Sequence, residues 1–367
     1  MKKDSTNKKE YKIVKILTIF IIVLIIILFI KINKEKINLK TIIFNKKEIE
    51  KISNINNEEI ITENETKESS KYDFIEIKNN RYYYNQLNDN AKIIYNEIEK
   101  NLMNMVTGKY EIKLDSKVAE ILKLLNGEEQ LNINFQSAWD ALSLDRVDLF
   151  FIDISKINLS IKKTKYGRNV SYVLNIIPKD EKGYLVDNFK NEEEVKKALI
   201  KTKKNRDDII YKIKEKKEYD KILYVHDWII ENVKYSSDLK NINSYSIYGA
   251  LIEKSAVCEG YAKALKYIYD ELEMPCILIS GKVTNSEGIT ENHEWNYVEI
   301  DEKWYAIDST WDDPIMKNGG YKTNDIKHRY FLQGQSQMNK NHKSNGKITP
   351  QGQEFTYPKL EINRYKK

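Results

Sequence analysis

Cysteine is nearly absent from this chain, which has two in 367 residues, Cys258 and Cys276. Two thiols cannot build a four-cysteine zinc site, and His226, His293, His328 and His342 supply no closely spaced pair to complete a mixed one. An EF-hand loop is also missing, which excludes calcium binding of that kind. The expectation is a chain with no metal and no cofactor. Proline and glycine are scarce, at 5 and 13 residues. With 41% hydrophobic residues and 25 tyrosines a core can be filled, so composition excludes a mostly disordered chain. There is no internal repeat, and no low-complexity block beyond one linker.

A basic folded surface is lacking too. The net charge is +6, but residues 1–31 hold seven Lys against Asp4 and Glu10, so the other 336 residues sum to +1. A nucleic-acid binder concentrates its basic residues on the folded part, so nucleic acid is set aside as a partner.

What is present begins with an apolar run. Ile16 to Ile30 carries no charge and is almost all Ile, Leu, Val and Phe. Ile13, Val14 and Ile32 extend it to near spanning length, because Lys15 and Lys31 can snorkel to the headgroups. No small-x-small cleavage site and no lipidation cysteine follows it; the next residues are Lys31-Ile-Asn-Lys-Glu-Lys. The expectation is one transmembrane signal anchor at 13–32 in a lipid bilayer. Residues 1–12 are read as a cytoplasmic tail, and the rest as exported, extracellular and held at the cell membrane. Residues 33–71, rich in Asn, Glu and Lys, read as a linker.

In an exported chain two cysteines would by default pair. Residues 258–272 read as a helix, which sets the sulfurs near opposite ends of roughly 20 Å. A disulfide needs Cα atoms within about 7 Å, so Cys258 is expected to be a free thiol.

Residues 72–200 read as a smaller accessory region of helices and strands. A helix is expected at 88–105 with Ile93, Ile94, Ile98 and Leu102 on one side, capped by Asn88 or Asp89. A shorter helix follows at 131–142. Val147–Ile154 reads as a strand. Alternation at 157–161 and 170–176 across a Lys-Tyr-Gly-Arg-Asn turn reads as a small antiparallel sheet. Residues 190–215 read as a charged surface helix. Residues 219–235 read as a stronger one, with Ile222, Val225, Ile229 and Val233 on its buried face. A core spans 201–335: a helix from Cys258, then strands Cys276–Val283, His293–Ile300 and Lys303–Asp308, the last two joined through Asp301-Glu302. Residues 336–367 read as a C-terminal extension.

Three residues carry the candidate chemistry. Cys258 extends the stripe Tyr261, Leu265, Ile268 and Leu272 back to the first turn, beside unpaired N–H groups and the positive end of the dipole. That position favours a nucleophilic thiolate; a small apolar filler is the alternative. His293 opens a strand from which its imidazole can face that helix start and shuttle protons. Asp308 ends the next strand, and the expected hairpin register sets residue 293 directly opposite 308, where a carboxylate can hold the imidazole. Trp295, Trp304 and Trp311 read as packing around the site. Asp312 and Asp313 read as capping a turn, and His226 as a helix residue satisfied by a neighbour.

Ala-Val-Cys-Glu-Gly-Tyr-Ala (256–262), His-Glu-Trp-Asn (293–296) and Trp-Tyr-Ala-Ile-Asp-Ser-Thr-Trp-Asp-Asp-Pro (304–314) together resemble the three signature blocks of the transglutaminase-like superfamily. His226-Asp227-Trp228, Tyr248-Gly-Ala-Leu and Tyr330-Phe-Leu are similar to motifs of a bacterial subgroup. The resemblance implies an α+β, papain-like core with a nucleophile helix on an antiparallel sheet. It implies acyl transfer through a thioester, with Cys258 as nucleophile, His293 as general base and acid, and Asp308 as orienting carboxylate. The Cys258 N–H is the first expected oxyanion donor, with Tyr248 a guess for the second. The implied partner is a protein or peptide amide, and location adds cell-wall or surface protein as its source. The resemblance leaves hydrolysis and cross-linking both open. A binding or scaffold protein that keeps the fold without catalysis is the competing reading.

Overall fold

The computed structural model describes residues 81–313 and 327–367. The span expected at 13–32 and the linker at 33–71 lie outside these residues. Among the described residues no helix is long and apolar enough to cross a membrane.

After a short 3-10 turn at Tyr84–Gln86 comes helix α1 (Asp89–Lys100), whose N-cap Asn88 accepts a hydrogen bond from Ala91 N. The expected single helix to residue 105 breaks at Asn101, whose side chain turns back to donate to Glu97 O. Helix α2 (Gly127–Asp145) runs well past its expected ends at 131 and 142. It is buried on most sides, and its polar residues are bonded accordingly. Ser137 accepts from Gln353 N, and Asp140 accepts from Thr349 Oγ1. Asp145 receives the backbone N–H groups of Tyr83 and Tyr84.

Val147–Ile154 is not a strand. It is a buried loop whose Val147 and Phe151 face the core, tied by an Arg146–Asp148 ion pair and a lone bridge from Ile152 to Leu185. A short apolar run records burial, and burial alone does not separate a strand from a packed loop. The hairpin of β1 (Ile157–Tyr166) and β2 (Asn169–Pro178) forms as expected, pairing Tyr166 with Asn169 across Gly167, whose φ is +60°. Helix α3 (Glu192–Tyr211) is charged outside but buries Arg206 over the Tyr267 ring and against Glu271.

The core sheet has the order β5-β4-β3-β6, all antiparallel. Its strands are β3 (Cys276–Thr284), β4 (Thr290–Ile300), β5 (Lys303–Ile307) and β6 (His342–Ser344). Residues 336–367, read from sequence as an extension, thus supply an edge of this sheet. Gly281 permits that pairing, because a Cβ there would sit 2.3 Å from Lys343 O and 2.7 Å from the Trp295 ring. Helix α5 (Cys258–Glu271) packs across β3 and β4, and Asn296 Nδ2 donates to Ala262 O. Helix α4 (Glu218–Asn232) buries Ile222, Val225 and Ile229 against it, and Tyr269 donates to Ile222 O.

The β4–β5 turn holds Asp301 and Glu302 at φ of 50° and 60°, the left-handed conformation of a two-residue hairpin. L-residues there lose roughly 1–2 kcal/mol each. Glu302→Gly is expected to keep or raise the thermal midpoint, whereas Glu302→Val should lower it; a pair of thermal melts checks this.

Candidate active site

Cys258 is the first residue of α5, preceded by Val257 in extended backbone. Both cysteines are free; Cys258 is partly exposed and Cys276 buried. The thiol of Cys258 opens on a cavity of about 410 Å³ whose walls include Tyr245, Gly281, His293 and Glu294.

His293 lies on β4 and Asp308 just beyond β5, and they meet differently from the expected register. The two turn residues pair Ile300 with Lys303, and the ladder runs on to Asn296 opposite Ile307. Continuing it would set Asp308 opposite Trp295, not His293. Because alternate residues share a face, His293 and Asp308 are diagonal neighbours on one side of the sheet. Their side chains still join, with His293 Nε2 2.8 Å from Asp308 Oδ2. Asp308 divides its two oxygens. Oδ1 accepts from Trp311 N and so caps the short helix α6 (Ser309–Asp312), while Oδ2 is left for imidazole.

A second imidazole uses that same oxygen. His342, from β6, places Nε2 2.9 Å from Asp308 Oδ2 and Nδ1 2.8 Å from Asn341 Oδ1. Sequence reasoning missed this residue, which lies 34 positions from the carboxylate and carries no local signal. Trp295 stacks beside His293, with ring centroids 6.1 Å apart and planes 22° from parallel. Trp311 closes over both imidazoles. Trp304 does not join this packing; it lies against Tyr82.

The electrostatics follow from burial and pairing. Burial opposes the charged form of His293, but the Asp308 carboxylate, helped by the neighbouring Cys258, outweighs it and raises the imidazole to about 10. Burial likewise disfavours charge on Asp308, yet the two histidines hold it well below the usual carboxylate range. With Nε2 on Asp308, His293 has its other ring nitrogen free to serve the thiol.

Four residues later, Asp312 is wholly buried and accepts from Tyr330 N through Oδ1, while Oδ2 lies 3.1 Å from His226 Nε2. The other nitrogen of His226 meets Asp227, which also receives His328 at 2.6 Å. His226 is thus satisfied by neighbours. Asp312 ties α4 to α6 rather than simply capping a turn. Asp313 accepts from the Tyr261 hydroxyl at 2.7 Å. Tyr248, the guessed second oxyanion donor, stacks on Phe150 and meets Phe189 edge to face, outside the walls of the thiol cavity. Tyr235 is paired in parallel with Ala256, two residues before Cys258. Burial and the neighbouring Cys258 push its phenol up to about 12.

Residues 207–309 match the model of a family described as the transglutaminase-like superfamily, a range that includes Cys258, His293 and Asp308. No curated protein matches this chain. Among solved structures, a TGase shares 16% identity over 48% of this chain and 50% of its own, with a TM-score of 0.30. The periplasmic domain of TgpA from Pseudomonas aeruginosa, bound to ethylmercury, shares 12% identity over 39% of this chain and 56% of its own, with a TM-score of 0.24. The chain therefore spans about half the length of these two structures.

Proposed function

With residues 207–309 identified as transglutaminase-like, we propose that this chain is a thiol enzyme acting on protein or peptide amides by acyl transfer or hydrolysis. One observation carries the reading. A helix-start thiol shares a cavity wall with an imidazole whose Nε2 is held 2.8 Å from a buried carboxylate.

In this reading His293 and Cys258 react as an imidazolium–thiolate pair. The sulfur attacks the amide carbon, and the oxyanion that forms takes a hydrogen bond from the Cys258 N–H. His293 then gives its proton to the leaving amine, and a thioester remains. Water, deprotonated by the now neutral imidazole, releases a carboxylic acid; an amine in its place gives a new amide. Asp308 stays ionised throughout and fixes the ring.

Tyr235 is the second oxyanion donor in this scheme. Tyr235→Phe should lower kcat roughly 10²–10³-fold and move KM little, because the bond is made to the intermediate rather than to the bound amide.

The apolar run at 13–32 supports a membrane-anchored enzyme facing outward, with surface or cell-wall protein as substrate. Mass spectrometry of surface proteins from cells carrying the native chain or Cys258→Ala tests the function. New termini that need Cys258 indicate hydrolysis, and isopeptide links that need it indicate transfer. Identical surface proteomes would leave the non-catalytic scaffold reading in its place.

A further inference from the structure

His342 has no part in the scheme above, although it shares an oxygen with its carboxylate. It starts β6, beyond the residues 207–309 that match the family, and its side chain is 1% exposed. It stands outside the walls of the thiol cavity, which removes substrate contact and proton shuttling to the sulfur from its roles.

The position of this ring is fixed from several sides. His342 pairs with Val283 of β3. The ladder is closed at both ends, by Thr284 N donating to Asn341 O at 2.9 Å and Asn345 N donating to Ser280 O at 2.8 Å. Strand β3 separates β6 from β4, so His342 and His293 meet only above it. Gly281, opposite His293 on β3, leaves that space to the Trp295 ring. Trp295 meets His342 edge to face at 5.1 Å, Trp311 does so at 4.8 Å, and Tyr330 lies 5.3 Å away. Three aromatic rings thus wall the imidazole.

Asp308 is ionised and can only accept, so the proton it shares with each imidazole sits on Nε2. The carboxylate then takes three N–H donors: His293 and His342 on Oδ2, at 2.8 and 2.9 Å, and Trp311 N on Oδ1 at 3.0 Å. Without His342, Oδ2 is held only by the ring it has to orient. With it, the carboxylate is anchored from a separate strand. A second donor to the charged form also keeps the proton on His293 instead of letting it pass to oxygen. Behind His342, Asn341 bridges its Nδ1 and the Tyr330 hydroxyl, at 2.8 and 2.7 Å. Tyr330 O in turn accepts from Asp308 N at 3.1 Å, which closes the circuit.

We propose that His342 is a positioning residue for the thiol: its Nε2–H fixes the Asp308 carboxylate, which fixes the His293 ring that serves Cys258. The C-terminal segment is then part of the catalytic machinery. The proposal rests on the reading of Cys258 as the reacting thiol.

The test is the rate of iodoacetamide alkylation at Cys258 in the full-length protein in detergent at neutral pH. His342→Gln keeps an N–H near the place of Nε2, whereas His342→Leu and His342→Phe keep apolar bulk without a donor. The two apolar variants should react about 10–100-fold more slowly than the native chain, the scale of one hydrogen bond to a charged group. His342→Gln should come within about threefold of the native rate, since one donor replaces another. In an Asp308→Asn background, His342→Leu should slow the reaction by less than about twofold further, because its effect runs through the carboxylate. A packing role alone predicts no rescue by His342→Gln and the same loss with or without Asp308. Native rates in the apolar variants, equal losses in His342→Gln and His342→Leu, or losses that multiply in the double variant would overturn the proposal. So would thermal melts in which neither apolar variant folds, since His342 would then hold the fold rather than the carboxylate. A native Cys258 no more reactive than an ordinary thiol sinks the enzymatic reading, and the proposal with it. A reactive Cys258 indifferent to His342 sinks the proposal alone.

Discussion

Iodoacetamide at neutral pH is expected to modify Cys258 and to leave Cys276 untouched. The two thiols differ in surroundings. Cys258 is partly exposed at a helix start, beside an imidazole raised to about 10 that carries positive charge at neutral pH. Cys276 is fully buried, which pushes its thiol well up, and it accepts a long contact of 3.5 Å from Asn296 Nδ2. The thiolate is the species that is alkylated, so charge and access both select Cys258. Cys258→Ala should remove labelling. His293→Ala should slow it by roughly 10²–10⁴-fold, the range that a positioned proton-transfer group commands. Peptide mapping after timed labelling reads both effects. Equal reactivity at the two cysteines, or an unchanged rate in His293→Ala, would end the thiol-enzyme account.

Removing the carboxylate should have the largest effect on stability. Asp308→Ala deletes the group that binds two buried imidazoles and caps α6, leaving charge on His293 with no counterion. Breaking a buried pair from one side costs about 3–5 kcal/mol, and each kcal/mol moves the midpoint by roughly 2–4 °C in a chain of this size. Asp308→Asn keeps an oxygen for the Trp311 N–H and should fold. It should still lose roughly 10³–10⁴-fold in turnover, because an amide cannot stabilise the imidazolium.

The same pair fixes the pH dependence. His293 is raised in the folded chain, so its contribution is complete below the ordinary histidine value near 6.5 and is lost as pH climbs toward 10. Asp308 is depressed, so its contribution is complete above the ordinary aspartate value near 3.9 and is lost on acidification. The native chain should therefore lose stability across pH 6.5–10, and Asp308→Asn should lose much less there. Denaturant midpoints at stepped pH measure the difference.

Much of the core was legible because its signals are local. The stripe on α5, the buried face of α4 and the β4–β5 turn all lie within windows of a few residues, where periodicity and turn chemistry act. The register failed by two positions, since the pairing begins at Ile300 and Lys303 on either side of the turn. His293 and Asp308 nevertheless share a face, because a shift of two preserves the side on which a residue points. Val147–Ile154 misled because its apolar residues are buried as a strand's would be, while Arg146 and Asp148 pin the backbone into turns. His342 and Tyr235 were invisible as site residues. Each reaches the site through a tertiary contact that no spacing rule encodes, and each looks like an ordinary aromatic or isolated residue in the string.

The sheet also sets an order of assembly. Strands β3, β4 and β5 follow one another through short connections, so His293 and Asp308 can find each other by local zippering. The strand that brings His342 returns from 35 residues beyond the end of β5, to the opposite edge. Contacts between distant positions close slowly, because the intervening chain must first give up its freedom. Newly made protein should thus pass through a stage in which the carboxylate has one imidazole and the cleft lacks its edge. Reactivity of the sulfur would mature on the timescale of that last docking event rather than with the helix that bears it.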